Sequence, residues 1–214
     1  MHIKALLVTC LALVSSRAEN EVGKDGEFLP LFDGKTSAGW TNPYKWGKVD
    51  IVDGEIHLTG DKKFFVMTEK SYSDFIFEGD ILLPAGTANS GFIFRGQTKP
   101  GQVYGYQAEV DGSNRKWSGG LYDEGRRKWF ISPKRGDKES TEAFRKRAGD
   151  SFKRNDWNTY RITCKGDQIK IEVNGVVTTE VRDDKDASGV IAIQHHGEKG
   201  QTYKFRNLRI KELK

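Results

Sequence analysis

Six polar residues on three strand-like segments could do chemistry together. Arg95 ends the run Asn89-Ser90-Gly91-Phe92-Ile93-Phe94-Arg95. Gln107, Glu109 and Asp111 alternate with Tyr106, Ala108 and Val110, so a strand would carry the three polar side chains on one face. Gln194 and His196 share a parity at the end of Gly189–Gly197, while His195 groups with Ile191 and Ile193 and reads as structural. Imidazole titrates near neutrality, so His196 could take or give a proton. Glu109 and Asp111 stand about 6–7 Å apart along an extended backbone, a spacing that permits the two-carboxylate chemistry of glycoside hydrolysis without demanding it. The competing reading is plain. Charges on an outer sheet face pair across strands, and a histidine at a strand end is often only solvated. A metal held by His196, Glu109 and Asp111 stays open, though no local spacing calls for one. No phosphate loop, paired-cysteine site or nucleophile elbow is present.

The elements that must position these groups are strands. The block from Asn89 to Glu124 holds three of them, the third running Ser118-Gly119-Gly120-Leu121-Tyr122-Asp123-Glu124. Gly91, Gly96, Gly105, Gly119 and Gly120 would weaken those strands unless something approaches the backbone closely. Asp53-Gly54 and Asn174-Gly175 sit between alternating apolar runs and predict tight hairpins. Residues 134 to 155 read as a long, charged surface loop anchored by Phe144 and Phe152, with a short helix around Glu139–Arg147 as the alternative. Many short strands at regular spacing and few helical patterns predict an all-β antiparallel β-sandwich or jelly roll.

The chain opens with a basic start and an apolar run from Ala5 to Val14, then Ser16-Arg17-Ala18, the pattern of a secretory signal peptide cleaved after Ala18. Residues 19–27 then form a loose leader and residues 28–214 a single domain. The run is too short to span a bilayer, and the expected location is periplasmic or extracellular. Cleavage removes Lys4 and Arg17 and takes the net charge from +5 to +3, too modest and too mixed with acids to indicate a nucleic-acid partner. It also leaves Cys164 as the sole cysteine. Cys164 shares the parity of Ile162 and is expected to be a buried thiol.

The ordered set of motifs resembles the 3-keto-disaccharide hydrolase family. The likeness rests on Leu31-Phe32-Asp33-Gly34 with Trp40, on Asn89–Arg95, Gly105–Asp111 and Gly119–Glu124, on Trp157–Ile162, and on Gln194-His195-His196-Gly197 with Phe205-Arg206-Asn207-Leu208. It implies a concanavalin A-like jelly roll whose site lies on the concave sheet, and glycosides oxidised at C3 as substrates. A C3 ketone acidifies the C2 proton, so one base can eliminate the C1 substituent, with water adding afterwards. The resemblance implies His196 as base, Arg95 as enolate stabiliser and Glu109 beside them. Gln107, Gln194, Tyr122, Asp111 and Asp123 would then hold sugar hydroxyls, with Trp40 and Trp46 as stacking surfaces. It names no cofactor. A carbohydrate-binding domain without catalysis is the alternative.

Overall fold

The computed structural model describes residues 26–214, so the expected signal segment and most of the leader lie outside the described residues. In chain order the elements are β1 (Leu29–Pro30), β2 (Trp40–Thr41), β3 (Lys48–Val52), β4 (Glu55–Thr59), β5 (Phe64–Tyr72), β6 (Phe75–Leu82), β7 (Asn89–Lys99) and β8 (Gln102–Asp111). They continue with β9 (Leu121–Glu124), β10 (Lys128–Ser132), helix α1 (Lys138–Ala148), β11 (Asn158–Lys165), β12 (Gln168–Val173), β13 (Val176–Arg182), β14 (Gly189–His195) and β15 (Thr202–Glu212). Two antiparallel sheets face each other as a β-sandwich. One has eight strands, β13-β12-β11-β6-β15-β4-β3 with β1 added on β15; the other has seven, β10-β9-β8-β7-β14-β5-β2.

Alternation builds the core. Phe75, Phe77 and Ile81 of β6, Tyr160, Ile162 and Cys164 of β11, and Ile169 and Ile171 of β12 point inward from one sheet. Phe92 and Phe94 of β7, Tyr106, Ala108 and Val110 of β8, and Ile191 and Ile193 of β14 meet them from the other. Phe92 is the central ring, 5.5 Å from Phe77, 5.2 Å from Tyr160 and 5.8 Å from Phe205. Burying each such side chain stabilises the fold by roughly 1.5–3 kcal/mol. Cys164 is buried here, and burial pushes its thiol up to about 12.

The predicted hairpins form. Asn174 and Gly175 have φ of 50° and 81°, the left-handed pair that a type I′ turn requires, and they join β12 to β13. Residues 134–155 contain a helix, which corrects the expectation of a long loop. Asp137 caps α1 by accepting from Ser140 N at 3.0 Å, Glu139 lies in the first turn, and Arg145, Lys146 and Arg147 lie in the last. Its apolar face is narrow. Phe144 and Ala148 alone are buried, against Trp117 and Trp129, so the charged remainder hid the helical period. No helix among the described residues is long and apolar enough to cross a membrane.

One irregularity matters for the site. The β7–β8 and β7–β14 ladders both shift register beyond Ile93, and Arg95 there has φ of 45°. A bulge of this kind re-aims the residues it contains.

Candidate active site

The outward face of the seven-stranded sheet carries the polar residues in rows. Register places Gln107 between Tyr122 of β9 and Ile93 of β7, and Ile93 beside Ala192 of β14. The next row holds Glu109, Gly91 and, by continuing the β7–β14 register from Ile193 opposite Phe92, Gln194 beside Phe65. Asn89 and Asp111 make the row after that. Gly91 is needed there, because a Cβ on it would sit 2.4 Å from Cδ of Gln107. The Gln107 carboxamide lies in that gap. It donates to Glu109 Oε2 at 3.0 Å and accepts from Gln194 Nε2 at 3.4 Å.

Glu109 and Asp111 are both buried carboxylates of this face, 4% and 3% exposed. The Glu109 backbone is pinned on both sides, the N–H to Gly120 O at 3.0 Å and the carbonyl taking Gly119 N at 2.8 Å and the Tyr160 hydroxyl at 2.9 Å. Oε1 accepts from Asn89 Nδ2 at 2.7 Å and Arg115 Nη2 at 2.8 Å; Oε2 accepts only from Gln107. Burial pushes the carboxyl up to about 7, Asp111 adds to this, and the bonds from Asn89, Arg115 and Gln107 offset only part of it. Asp111 differs. Burial opposes its charge too, but hydrogen bonds from Ser113 and Arg115 outweigh it and hold the carboxyl below the usual range. Its Oδ2 takes Arg115 Nε at 2.9 Å and Trp117 N at 3.1 Å. A single guanidinium thus serves two carboxylates.

Arg115 is the piece that sequence reasoning missed. It arrives on the turn between β8 and β9, with its guanidinium carbon 4.7 Å from the Trp117 ring centre and 5.2 Å from that of Trp129. Trp117 and Trp129 stack edge to face, Trp129 lies 5.1 Å from Tyr122, and Phe144 of α1 backs the group. The sequence Asn114-Arg115-Lys116-Trp117 offered only a basic residue near an aromatic one, a pattern with no periodicity to read. Asn89, the amide that holds Glu109 Oε1, was visible in its motif but had no assigned role.

Gln107, Glu109, Asp111, Tyr122 and Gln194 are brought together on this face. His196 stands one residue beyond the end of β14, exposed, with Nδ1 3.0 Å from Glu198 Oε1; the other oxygen of Glu198 takes the Tyr203 hydroxyl. His195 is buried between the rings of Phe64 and Tyr203, and burial lowers its pKa, as its apolar parity implied. Trp46 is exposed at the edge, 5.3 Å from Tyr44, which itself packs toward Phe65. A surface depression of about 660 Å³ lies beside Trp46, lined by Thr59, Asp61 and Lys62 among others and by no member of the Glu109 row.

Three expectations are corrected. Arg95 does not face this site. The bulge turns it to the edge between the sheets, where Nε donates to Ser73 O at 2.7 Å, Nη1 to Gly166 O at 2.7 Å and Nη2 to Asp74 Oδ1 at 2.8 Å. Its donors tie the β5–β6 connection to the β11–β12 turn, and the side chain, 1% exposed, is enclosed there. Asp123 is opposite Tyr106, hence on the inward side of β9, fully buried and held by Arg126 and Arg127. Trp40 belongs to the core, its indole N–H donating to Leu31 O, and offers no stacking surface. As for a metal, no group of three or more His, Cys, Asp or Glu among the described residues could hold one. Arg115 already occupies the space between Glu109 and Asp111.

The fold has solved relatives. Carbohydrate-binding module CBM66 from Bacillus subtilis superposes with a TM-score of 0.56 at 18% identity, covering 81% of this chain and 96% of that one. A glycosyl hydrolase-like protein from Parabacteroides distasonis ATCC 8503 gives 0.59 at 19%, covering 87% and 100%. The carbohydrate recognition domain of Emp46p, in a potassium-bound form, gives 0.56 at 15%, covering 87% and 96%. At these identities the likeness shows the fold. No curated protein matches the sequence. A family model, that of the 3-keto-alpha-glucoside-1,2-lyase-like domain, matches residues 27–211, nearly the whole described chain. The chain therefore belongs to the 3-keto-alpha-glucoside-1,2-lyase-like domain family.

Proposed function

We propose that this chain, once exported, binds glycosides carrying a ketone at C3 and eliminates the C1 substituent, with Glu109 as the base. The observation that carries the reading is the Glu109 carboxyl, buried, raised to about 7, and with one oxygen, Oε2, bound by a single donor. A general base works best when its proton affinity lies near the working pH. Family membership supports this substrate class, and the carbohydrate-binding names of CBM66 and Emp46p agree with a sugar ligand.

In the step, Glu109 takes the C2 proton. The C–H pair becomes the C2–C3 double bond of an enolate, with the charge on the former ketone oxygen. That charge re-forms the ketone, C1=C2 appears, and the C1–O bond breaks with its electrons on the leaving oxygen. His196, at the rim, is the assigned proton donor to that oxygen. Arg115 replaces Arg95 as the cation for the enolate, since it already reaches Glu109 and its side chain is 30% exposed. Water then adds to the enone.

The test is methyl 3-keto-glucoside labelled with deuterium at C2. Loss of label to solvent during turnover is expected, together with its suppression in Glu109→Gln. Turnover with full retention of the label would overturn elimination. Saturable binding with no turnover at all would favour the second reading, a carbohydrate-binding domain, for which the near-closure of Glu109 at 4% exposure is the favouring observation.

A further inference from the structure

We infer that Gln107 is a positioning residue whose amide bridges Gln194 to Glu109 in one direction, leaving Gln194 Oε1 as the acceptor for a ligand hydroxyl. This deepens the site described above, and only the identity of the ligand rests on the functional reading.

The direction follows from charge. Gln107 Nε2 lies 3.0 Å from Glu109 Oε2. Turning that amide over would set its oxygen against a carboxylate. With the NH₂ held toward Glu109, the Gln107 oxygen faces Gln194 and takes Nε2 at 3.4 Å. Gln194 must then point its own oxygen away, and Oε1 has no donor although the residue is 1% exposed. The missing Cβ at Gly91 leaves the room that the bridging amide occupies. A buried acceptor left without a donor is costly, so a group supplying one is favoured. A sugar hydroxyl fits. A ketone oxygen does not, because it would meet Gln194 as acceptor against acceptor. The carbonyl of a keto-glycoside must therefore turn toward Arg115.

The bridge also links Gln194 to the proton on Glu109. A neutral carboxyl can donate to Gln107 as well as accept, which weakens the one-way order. The other groups facing Glu109 are Arg115 and Asp111 beside it, Tyr122 on β9, and Tyr160 from the opposite sheet.

The full chain can be tested by nuclear magnetic resonance without any turnover. In wild type, the side-chain NH₂ signals of both Gln107 and Gln194 should shift with the midpoint of the Glu109 carboxyl titration. Gln107→Leu should raise that midpoint by about one to two pH units, the worth of one hydrogen bond to the charged form. Gln194→Leu should raise it by less, although Gln194 does not touch Glu109. A role in packing alone would not produce this. Saturating methyl 3-keto-glucoside, or its unoxidised parent, should move the Gln194 signal. A Gln194 amide indifferent to pH across the Glu109 transition, or a midpoint unchanged in Gln194→Leu, overturns the bridge. No response of Gln194 at saturation overturns its role as acceptor. Failure of the deuterium exchange would leave the bridge standing and remove only the elimination.

Discussion

Glu109 on β8 and Asp123 on β9 are both buried carboxylates on neighbouring strands, and they meet opposite fates. Asp123 faces inward and receives two guanidiniums, Arg126 Nε at 2.7 Å and that of Arg127. Those cations continue to Asp183 and Asp186, and Asp183 also takes the Tyr106 hydroxyl. The result is a network in which two guanidiniums bridge three carboxylates and Asp123 is in contact with both cations. Glu109 faces outward and shares one guanidinium with Asp111. Its remaining partners are neutral amides. The first arrangement locks β9 and the turn after it to the segment following β13. The second leaves a carboxyl near its own midpoint. Incomplete compensation, rather than burial as such, marks a position where a proton can move.

The comparison can be broken at several points. The largest effect expected is on turnover. Glu109→Gln keeps the shape and two hydrogen-bonding atoms but cannot take the C2 proton, and should lower kcat by about 10²–10⁴, read with methyl 3-keto-glucoside. Binding of the unoxidised glucoside should survive, because Gln194 remains.

Asp123→Ala should act on the fold. It removes the buried carboxylate from two guanidiniums that keep Asp186 and Asp183, and should cost about 3 kcal/mol through the lost charge-assisted hydrogen bonds, measured by urea unfolding. If Asp123→Ala were as stable as wild type, the contrast between the two carboxylates would fail.

The third effect is linkage. Glu109 is raised in the folded state from 4.5 to about 7, so its native form holds a proton that the unfolded chain has already lost. Stability contributed by the neutral group is complete below about 4.5 and declines as pH rises through 7. The decline from this one residue is on the order of 3 kcal/mol. Thermal unfolding from pH 4.5 to 8 should show that slope in wild type and a flatter one in Glu109→Gln.

A smaller change sharpens the same point. Arg115→Met removes the cation paired with Glu109 while keeping a side chain that can lie over Trp117. The Glu109 midpoint should rise by about one unit, followed by carbon resonance of the carboxyl. A fall would mean that the guanidinium's charge is not what restrains it. The least effect belongs to Cys164, whose buried thiol should resist a thiol reagent until the protein unfolds.

Sequence alternation was sufficient where a strand runs unbroken. From Tyr106 to Asp111 every second residue faces the core, so the outward grouping of Gln107, Glu109 and Asp111 was legible from residue types alone. Cys164, His195 and the Asn174-Gly175 turn were legible for the same reason, since each depends on neighbours within a few residues. Arg95 was not. Its parity matched Ile93, but the backbone between Ile93 and Gln97 gains a residue and takes a left-handed turn, and a one-residue slip exchanges the faces. Asp123 was misread because nothing local says which face of a four-residue strand meets Tyr106 across the ladder. Arg115 lay in a turn without a period, and its role exists only because the β8–β9 connection folds back over β8. Tertiary structure alone decided how much counter-charge each carboxylate receives. That quantity depends on distances between residues far apart in the chain, to which short-range pattern is blind.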